Sequence, residues 1–230
     1  PIMIFMILVI VYMVKSGVET MGKWSTIVLC VILLIVLLTI LLSLGKMDFT
    51  NILPVFEYDF KTIARGSFQI FTFPYAETVL FLTIACSMKK TDSPYKIYMV
   101  AMLIGTVVLL SIVLRNMFLL GPELVKDSYF PSYTAVRIIN AGEFISRIEG
   151  SIAINLILAG IIKIAVCLIA ATKGMASLFS MKNYRHILFP VSMCMVALCA
   201  IVYDNVMDMF AFLKIYVIYA IPFQILIPLA

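Results

Sequence analysis

Two ionisable side chains sit in stretches of this sequence that are otherwise too apolar to hold a charge cheaply. Glu77 falls inside the run Phe68–Met88, and Lys163 inside Ser151–Thr172, nine or more residues from either end. A charged group at membrane depth must find a counter-charge, lose its charge or meet water, so by default it marks a functional position. The run around Glu77 is also interrupted by Gly66, Ser67, Gln69, Thr72 and Pro74. Pro74 has no N–H to donate and its ring clashes with the preceding turn, so the carbonyls of residues 71–73 lose partners and a discontinuous helix is expected. Freed backbone at that depth is tolerated only beside packed protein or a cavity, and broken helices of this kind build mid-membrane substrate sites. Lys163 shares its run with Asn155, two turns earlier, so one polar stripe is expected on that helix. The candidate ligand-binding residues are therefore Gly66, Thr72, Phe73, Pro74, Tyr75, Glu77, Asn155 and Lys163. Plainer readings stand beside them: an ordinary proline kink packed among helices, and a carboxylate that is only a structural partner to a cation.

A second set of charges alternates in sign: Arg137, Glu143, Arg147 and Glu149. Glu143 and Arg147 at i,i+4 can pair on a helix surface, which explains the pattern fully. Their concentration at the outer mouth of the helix bearing Asn155 and Lys163 also fits a gate network. Lys214 lies about six residues into the last apolar run, where its stem reaches the interface. Pro222 and Pro228 bend or end that run without a ligand. The single His186 stands in a cationic connection and reads as a surface residue. Gly-rich phosphate loops, CxxC, HExxH and GxSxG motifs are all missing from the sequence. The chain is therefore not expected to be an enzyme, and no cofactor or metal is expected. The five cysteines lie in apolar stretches as small hydrophobes, with no disulfide framework expected.

The elements that must position these residues follow from composition. Of 230 residues 64% are hydrophobic and 13% charged, with a mean hydropathy of +1.15. That excludes an ordinary soluble domain and predicts an all-α integral membrane protein. The net charge of +5 belongs to the connections rather than to a nucleic-acid surface, and no nucleic-acid partner is expected. A bilayer core of about 30 Å takes about twenty helical residues per crossing. Runs of that kind predict about seven spans: Pro1–Val14, Ile27–Leu44, Phe68–Met88, Ile97–Leu114, Ser151–Thr172, Ile187–Tyr203 and Met209–Ala230. The connections after the first, third and fifth carry Lys15, Lys23, Lys89, Lys90, Lys96, Lys173, Lys182 and Arg185 against only Glu19 and Asp92. By the positive-inside rule these face the cytoplasm, as does the carboxyl terminus. Arg115 is counted with the other side. The opposite connections Asp48–Gly66 and Gly121–Gly150 are long and apolar enough to form short interfacial helices or re-entrant pieces. The start at Pro1, directly into apolar sequence, is expected of a piece of a longer chain.

The run Phe-Pro-Ser-Tyr-Thr-Ala-Val-Arg-Ile-Ile beginning at Phe130, followed by Gly142 to Glu149, closely resembles the signature before the eighth helix of spore germination permeases. These are the transporter-like B subunits of endospore germinant receptors. Gly160 to Ile164 resembles their eighth helix, and Gly17 with Glu19, and Leu53, Pro54 and Val55, agree with the family in position. The resemblance implies helices four to ten of a ten-helix, five-plus-five inverted repeat related to amino acid, polyamine and organocation transporters. On that basis residues 1–44 are the last two helices of a truncated first repeat. Residues 45–66 form an outer connecting segment, and 67–230 the second repeat, with an outer amphipathic segment at 121–150. Residues 66–77 become the unwound sixth helix facing the substrate.

What the resemblance implies about function is a germinant-sensing membrane subunit. A small nutrient, such as an amino acid, binds at mid-membrane and shifts a receptor complex containing other germinant receptor subunits, in the spore inner membrane. The alternative is a proton- or sodium-coupled amino acid transporter using the same pocket. A ligand-free membrane scaffold is a third reading, in which Glu77 and Lys163 are structural partners.

Overall fold

The computed structural model describes residues 2–54, 58–86, 93–139, 149–213 and 215–229. The described residues are helical and contain no strand. This follows from composition, because without water to bond the backbone a membrane segment must satisfy its own N–H and C=O groups, and a helix does so within one segment. Among the described residues, four helical stretches are long and apolar enough to cross a membrane: Val18–Lys46, Phe60–Ala85, Pro94–Asp127 and Gly150–Leu178. A bent pair, Leu188–Val202 with Val206–Leu213, makes a fifth if it is one span, and Ile2–Ser16 and Tyr216–Leu226 are shorter apolar helices. The exposed side chains on these helices are overwhelmingly large and apolar, as a lipid-facing surface requires.

The chain divides into two compact units. The first comprises Pro1–Met21, Phe56–Met88 and Lys163–Ala230. It opens with α1 (Ile2–Ser16), which is joined to α2 (Val18–Ser43) by Gly17 alone. Gly17 has φ +101°, a left-handed value that ends α1 at low cost only for glycine. Its N–H bonds to the Val14 carbonyl at 3.1 Å, and its carbonyl accepts from Met21 N–H at 3.1 Å, so one residue closes one helix and opens the next. The third span is α3 (Phe60–Ile70), a π-helical turn Phe71–Tyr75, a 3₁₀ stretch Ala76–Phe81 and α4 (Leu82–Ala85). The remainder of the unit holds the later part of α7 (Glu149–Leu178), α8 (Leu188–Val202), α9 (Val206–Leu213), α10 (Tyr216–Ala220), a π-helical stretch Ile221–Leu226 and α11 (Ile227–Leu229). On α7 the buried residues Ala165, Leu168, Ile169, Thr172 and Ala176 fall at i, i+3, i+4, i+7 and i+11, one helical stripe with small residues that let backbones approach closely. Ile7, Ile10, Met13 and Val14 of α1 and Leu188, Val191 and Ser192 of α8 are buried, and these two helices pack together.

The second unit comprises Gly22–Val55 and Lys89–Ile162. Its long helix α5 (Pro94–Asp127) extends well past the expected apolar run and is broken at Gly121 (φ 72°, ψ 166°) before Pro122. Pro122 cannot donate to the carbonyl of Phe118 four residues back. That carbonyl is instead taken by Asp48 N–H at 3.0 Å and Asn51 Nδ2 at 3.1 Å, and the Phe49 ring packs on Phe118 with centroids 4.8 Å apart. The short helix Phe49–Ile52 thus caps a wound in α5. Its own start is capped by Asp48, whose carboxylate accepts from Thr50 N–H at 2.9 Å and Thr50 Oγ1 at 2.6 Å, bonds that hold this carboxyl below its ordinary range. The amphipathic helix α6 (Pro131–Ile138) lays Val136, together with Ile139 just after it, against Ile152, with Leu42 and Leu119 alongside. Lys46 caps its end, donating to the Ile138 carbonyl at 2.9 Å.

Candidate functional site

The third span fails to stay α-helical where its sequence is least uniform. Regular α-helix ends at Ile70, and Phe73, the residue before Pro74, is extended (φ −139°, ψ 115°) because a residue preceding proline is pushed out of the α region. Glu77 then enters in the first turn of the 3₁₀ stretch. From α7, Lys163 reaches across to it, with Nζ 2.6 Å from Oε2, and the same ammonium lies 4.7 Å from the centroid of the Phe73 ring. The other carboxylate oxygen, Oε1, accepts from the Tyr216 hydroxyl at 3.2 Å, and that hydroxyl accepts from Gln224 Nε2 at 2.6 Å. Glu77 is therefore held on both oxygens, by a cation from one side and a phenol from the other.

Aromatic rings enclose this chain of bonds. Phe73 and Tyr216 meet edge to face at 6.0 Å, and Tyr216 also packs on Phe212 at 6.0 Å and Tyr219 at 6.3 Å. The Glu77 side chain is 20% exposed and that of Lys163 53% exposed. A second tie joins α7 to the same span, since Lys173 donates to the Thr83 carbonyl at 3.3 Å. A cleft of about 210 Å³ lies on the α3 side of the break, lined by Arg65, Phe68, Gln69, Val217 and Ile218.

The candidate residues fall into distinct groups. Phe73, Glu77 and Lys163 come together. Thr72 is buried, but its hydroxyl turns back onto its own helix, donating to the carbonyls of Gln69 at 2.9 Å and Phe68 at 3.2 Å. Pro74 and Tyr75 are half-buried in the π-helical turn, and Gly66 sits within α3 rather than at the break. Asn155 belongs to the second unit, where its Oδ1 is buried without a hydrogen-bond partner among the described residues. Arg137 is exposed in the last turn of α6, and Glu149 begins α7. Glu143 and Arg147 lie outside the described residues, as does Lys214.

Sequence reasoning missed Tyr216 and Gln224. Gln224 was visible as a polar residue within a long apolar run, the same signal that marked Glu77. Arg115 was also misplaced: it lies inside α5 rather than in a connection, and is only 2% exposed. Its Nη1 donates to Thr39 Oγ1 at 2.8 Å, and Nη2 and Nε donate to Asn116 Oδ1 at 2.8 and 3.3 Å. Asn116 Nδ2 passes the chain to Ser132 Oγ on α6 at 3.0 Å. All the acceptors around this buried guanidinium among the described residues are neutral.

A chain whose described residues are mostly helical and form no strand, with several membrane-length apolar helices, one broken around an ion pair, is a multi-helix integral membrane protein. The chain belongs to the spore germination protein family, whose model matches residues 1–209. It is similar to spore germination protein KB of Bacillus subtilis (strain 168), with 26% identity over 229 residues that cover 97% of this chain and 61% of that relative. The chain thus spans about three fifths of the length of the curated relative it matches. No solved structure matches the chain.

Proposed function

We propose that the protein is the membrane subunit of a spore germinant receptor, which binds a small nutrient of the amino acid class at the broken third span and signals to other receptor subunits without turning the nutrient over. The observation that carries this reading is the Lys163–Glu77 pair, 2.6 Å long, which ties α7 to a span that has lost its regular helix. Irregular backbone, a displaceable ion pair and aromatic walls are what a mid-membrane site for a zwitterion needs. The linkage also supplies a two-state element, since a ligand that alters the pair alters how α7 is held. In this reading the subunit acts in the spore inner membrane, and the excess of Lys and Arg in the connections after the first, third and fifth apolar runs supports a cytoplasmic carboxyl terminus.

The test is Glu77→Gln in the full-length protein within its receptor. Nutrient-triggered germination should require a much higher nutrient concentration or fail, while the subunit reaches the membrane at normal abundance. An unchanged nutrient dose–response would remove the carboxylate from function. Uptake of radiolabelled amino acid into proteoliposomes, driven by a proton or sodium gradient, would replace the sensor with a coupled transporter.

A further inference from the structure

We propose that the Glu77 carboxylate and the Phe73 ring form a receptor for a primary ammonium group, which Lys163 fills in this structure and which a ligand's own ammonium takes by displacing it. The inference rests on the reading of the broken span as the ligand site, and adds to it the chemical class recognised and the means of recognition.

An ammonium is best held by an anionic oxygen together with an aromatic face. Lys163 Nζ has both, Glu77 Oε2 at 2.6 Å and the Phe73 centroid at 4.7 Å. The acceptor does not depend on its occupant for orientation. Tyr216 fixes Oε1, and Gln224 fixes Tyr216, so the carboxylate stays aimed when the cation leaves. The occupant is the looser partner. Its flexible four-carbon stem is 53% exposed, against 20% for Glu77, so Lys163 can swing away while the carboxylate remains. Exchange of one ammonium for another keeps the Glu77 carboxylate paired, which avoids the cost of stranding it in an apolar setting, and the freed Lys163 must in turn meet water or another acceptor. It does cut the tie between α7 and the break, while the Lys173–Thr83 tie is left in place. A quaternary ammonium could meet the ring but has no N–H to give Oε2, so a protonated amine is selected over a quaternary one.

An internal competitor lowers the apparent affinity of the true ligand by the fraction of time it occupies the site, and its removal restores that affinity. In the full-length protein in nanodiscs, methylammonium chloride binding is measured by thermal shift against potassium chloride at equal ionic strength. The native protein should bind weakly, and Lys163→Met about tenfold more tightly, with Lys163→Gln moving the same way. Adding Glu77→Gln to either variant should abolish binding. Equal affinity in native protein and Lys163 variants overturns the proposal, as does equal binding of tetramethylammonium. Should neither variant fold, hydrogen exchange on the native protein decides: saturating methylammonium should raise exchange across residues 71–81, and unchanged exchange sinks the idea. If Glu77→Gln abolishes the nutrient response while the Lys163 variants bind no tighter, the ligand-site reading stands and displacement fails. If the Lys163 variants tighten while Glu77→Gln germinates normally, the ammonium site stands and its part in sensing fails.

Discussion

Lys163 and Glu77, 86 positions apart in sequence, meet with Nζ 2.6 Å from Oε2. Each is a charge in an apolar span that needs a partner, and each supplies the other's. The pair is neutral as a unit, which is the form in which two ions are least costly at depth. Its strength should be modest, because the lysine is half-exposed and polar contacts between membrane helices average well under 2 kcal/mol. A double-mutant cycle of Glu77→Gln and Lys163→Met, read by thermal unfolding in nanodiscs, should give a coupling of about 1 kcal/mol. The double variant should be more stable than additivity of the singles predicts, and strict additivity would mean the two charges do not sense each other.

The buried Arg115 depends on Thr39 and Asn116 for its hydrogen bonds. Thr39→Val keeps the shape of the side chain but removes the acceptor from a charged donor, and should cost about 1.5–3 kcal/mol. Arg115→Lys should be no better tolerated, because a single ammonium cannot reproduce a planar fork that spans two acceptors. A melting temperature unchanged in both variants would show that the cluster contributes nothing to stability.

Gly121 lies at φ 72° and ψ 166°, a region open essentially to glycine alone. A Cβ there would also lie 3.7 Å from the Asn51 side chain, ordinary contact, so the cost is conformational rather than steric. Gly121→Ala should destabilise by about 1–3 kcal/mol, and Asn51→Leu, which leaves the Phe118 carbonyl one donor poorer, by about 1 kcal/mol. Denaturation midpoints of the two purified variants check both figures. Equal stability of Gly121→Ala and the native protein would contradict the break.

Orientation follows from eight cations against two acids in the connections assigned to the cytoplasm. Cysteines introduced as Ser93→Cys, at the entrance to α5, and Ser177→Cys, near the end of α7, should react with an impermeant maleimide only after the cytoplasmic face is opened. Labelling of either in intact cells would invert the topology.

Much of this was written locally. The apolar runs announced membrane helices because hydropathy needs no tertiary information, and Pro74 announced trouble because its missing N–H is a property of one residue. Glu77 and Lys163 stood out by cost alone, but nothing local said that they would find each other. Arg115 was misjudged because it follows directly on the apolar run ending at Leu114, where a cation normally marks an interface. The helix continues instead, since Gly121 and Pro122 break and restart it and leave Arg115 inside. Tyr216 escaped notice because a tyrosine in an apolar run is ordinary, and only packing brings its hydroxyl to Glu77. The expected spans Ile187–Tyr203 and Met209–Ala230 became α8, a sharp corner and several short helices, because Pro222 and residues 203–205 interrupt regular helix.

That corner has a mechanical side. Helix α8 has 15 residues and turns through 90° into α9, so at about 1.5 Å per residue it is about 22 Å long, against about 30 Å of hydrocarbon. A crossing made by α8 alone leaves a shortfall that the adjoining lipids take up by thinning, at a fraction of a kcal/mol for each ångström. Acyl-chain length then presses on one corner of the molecule, and a bilayer of different thickness alters the load on α8 without changing any solute.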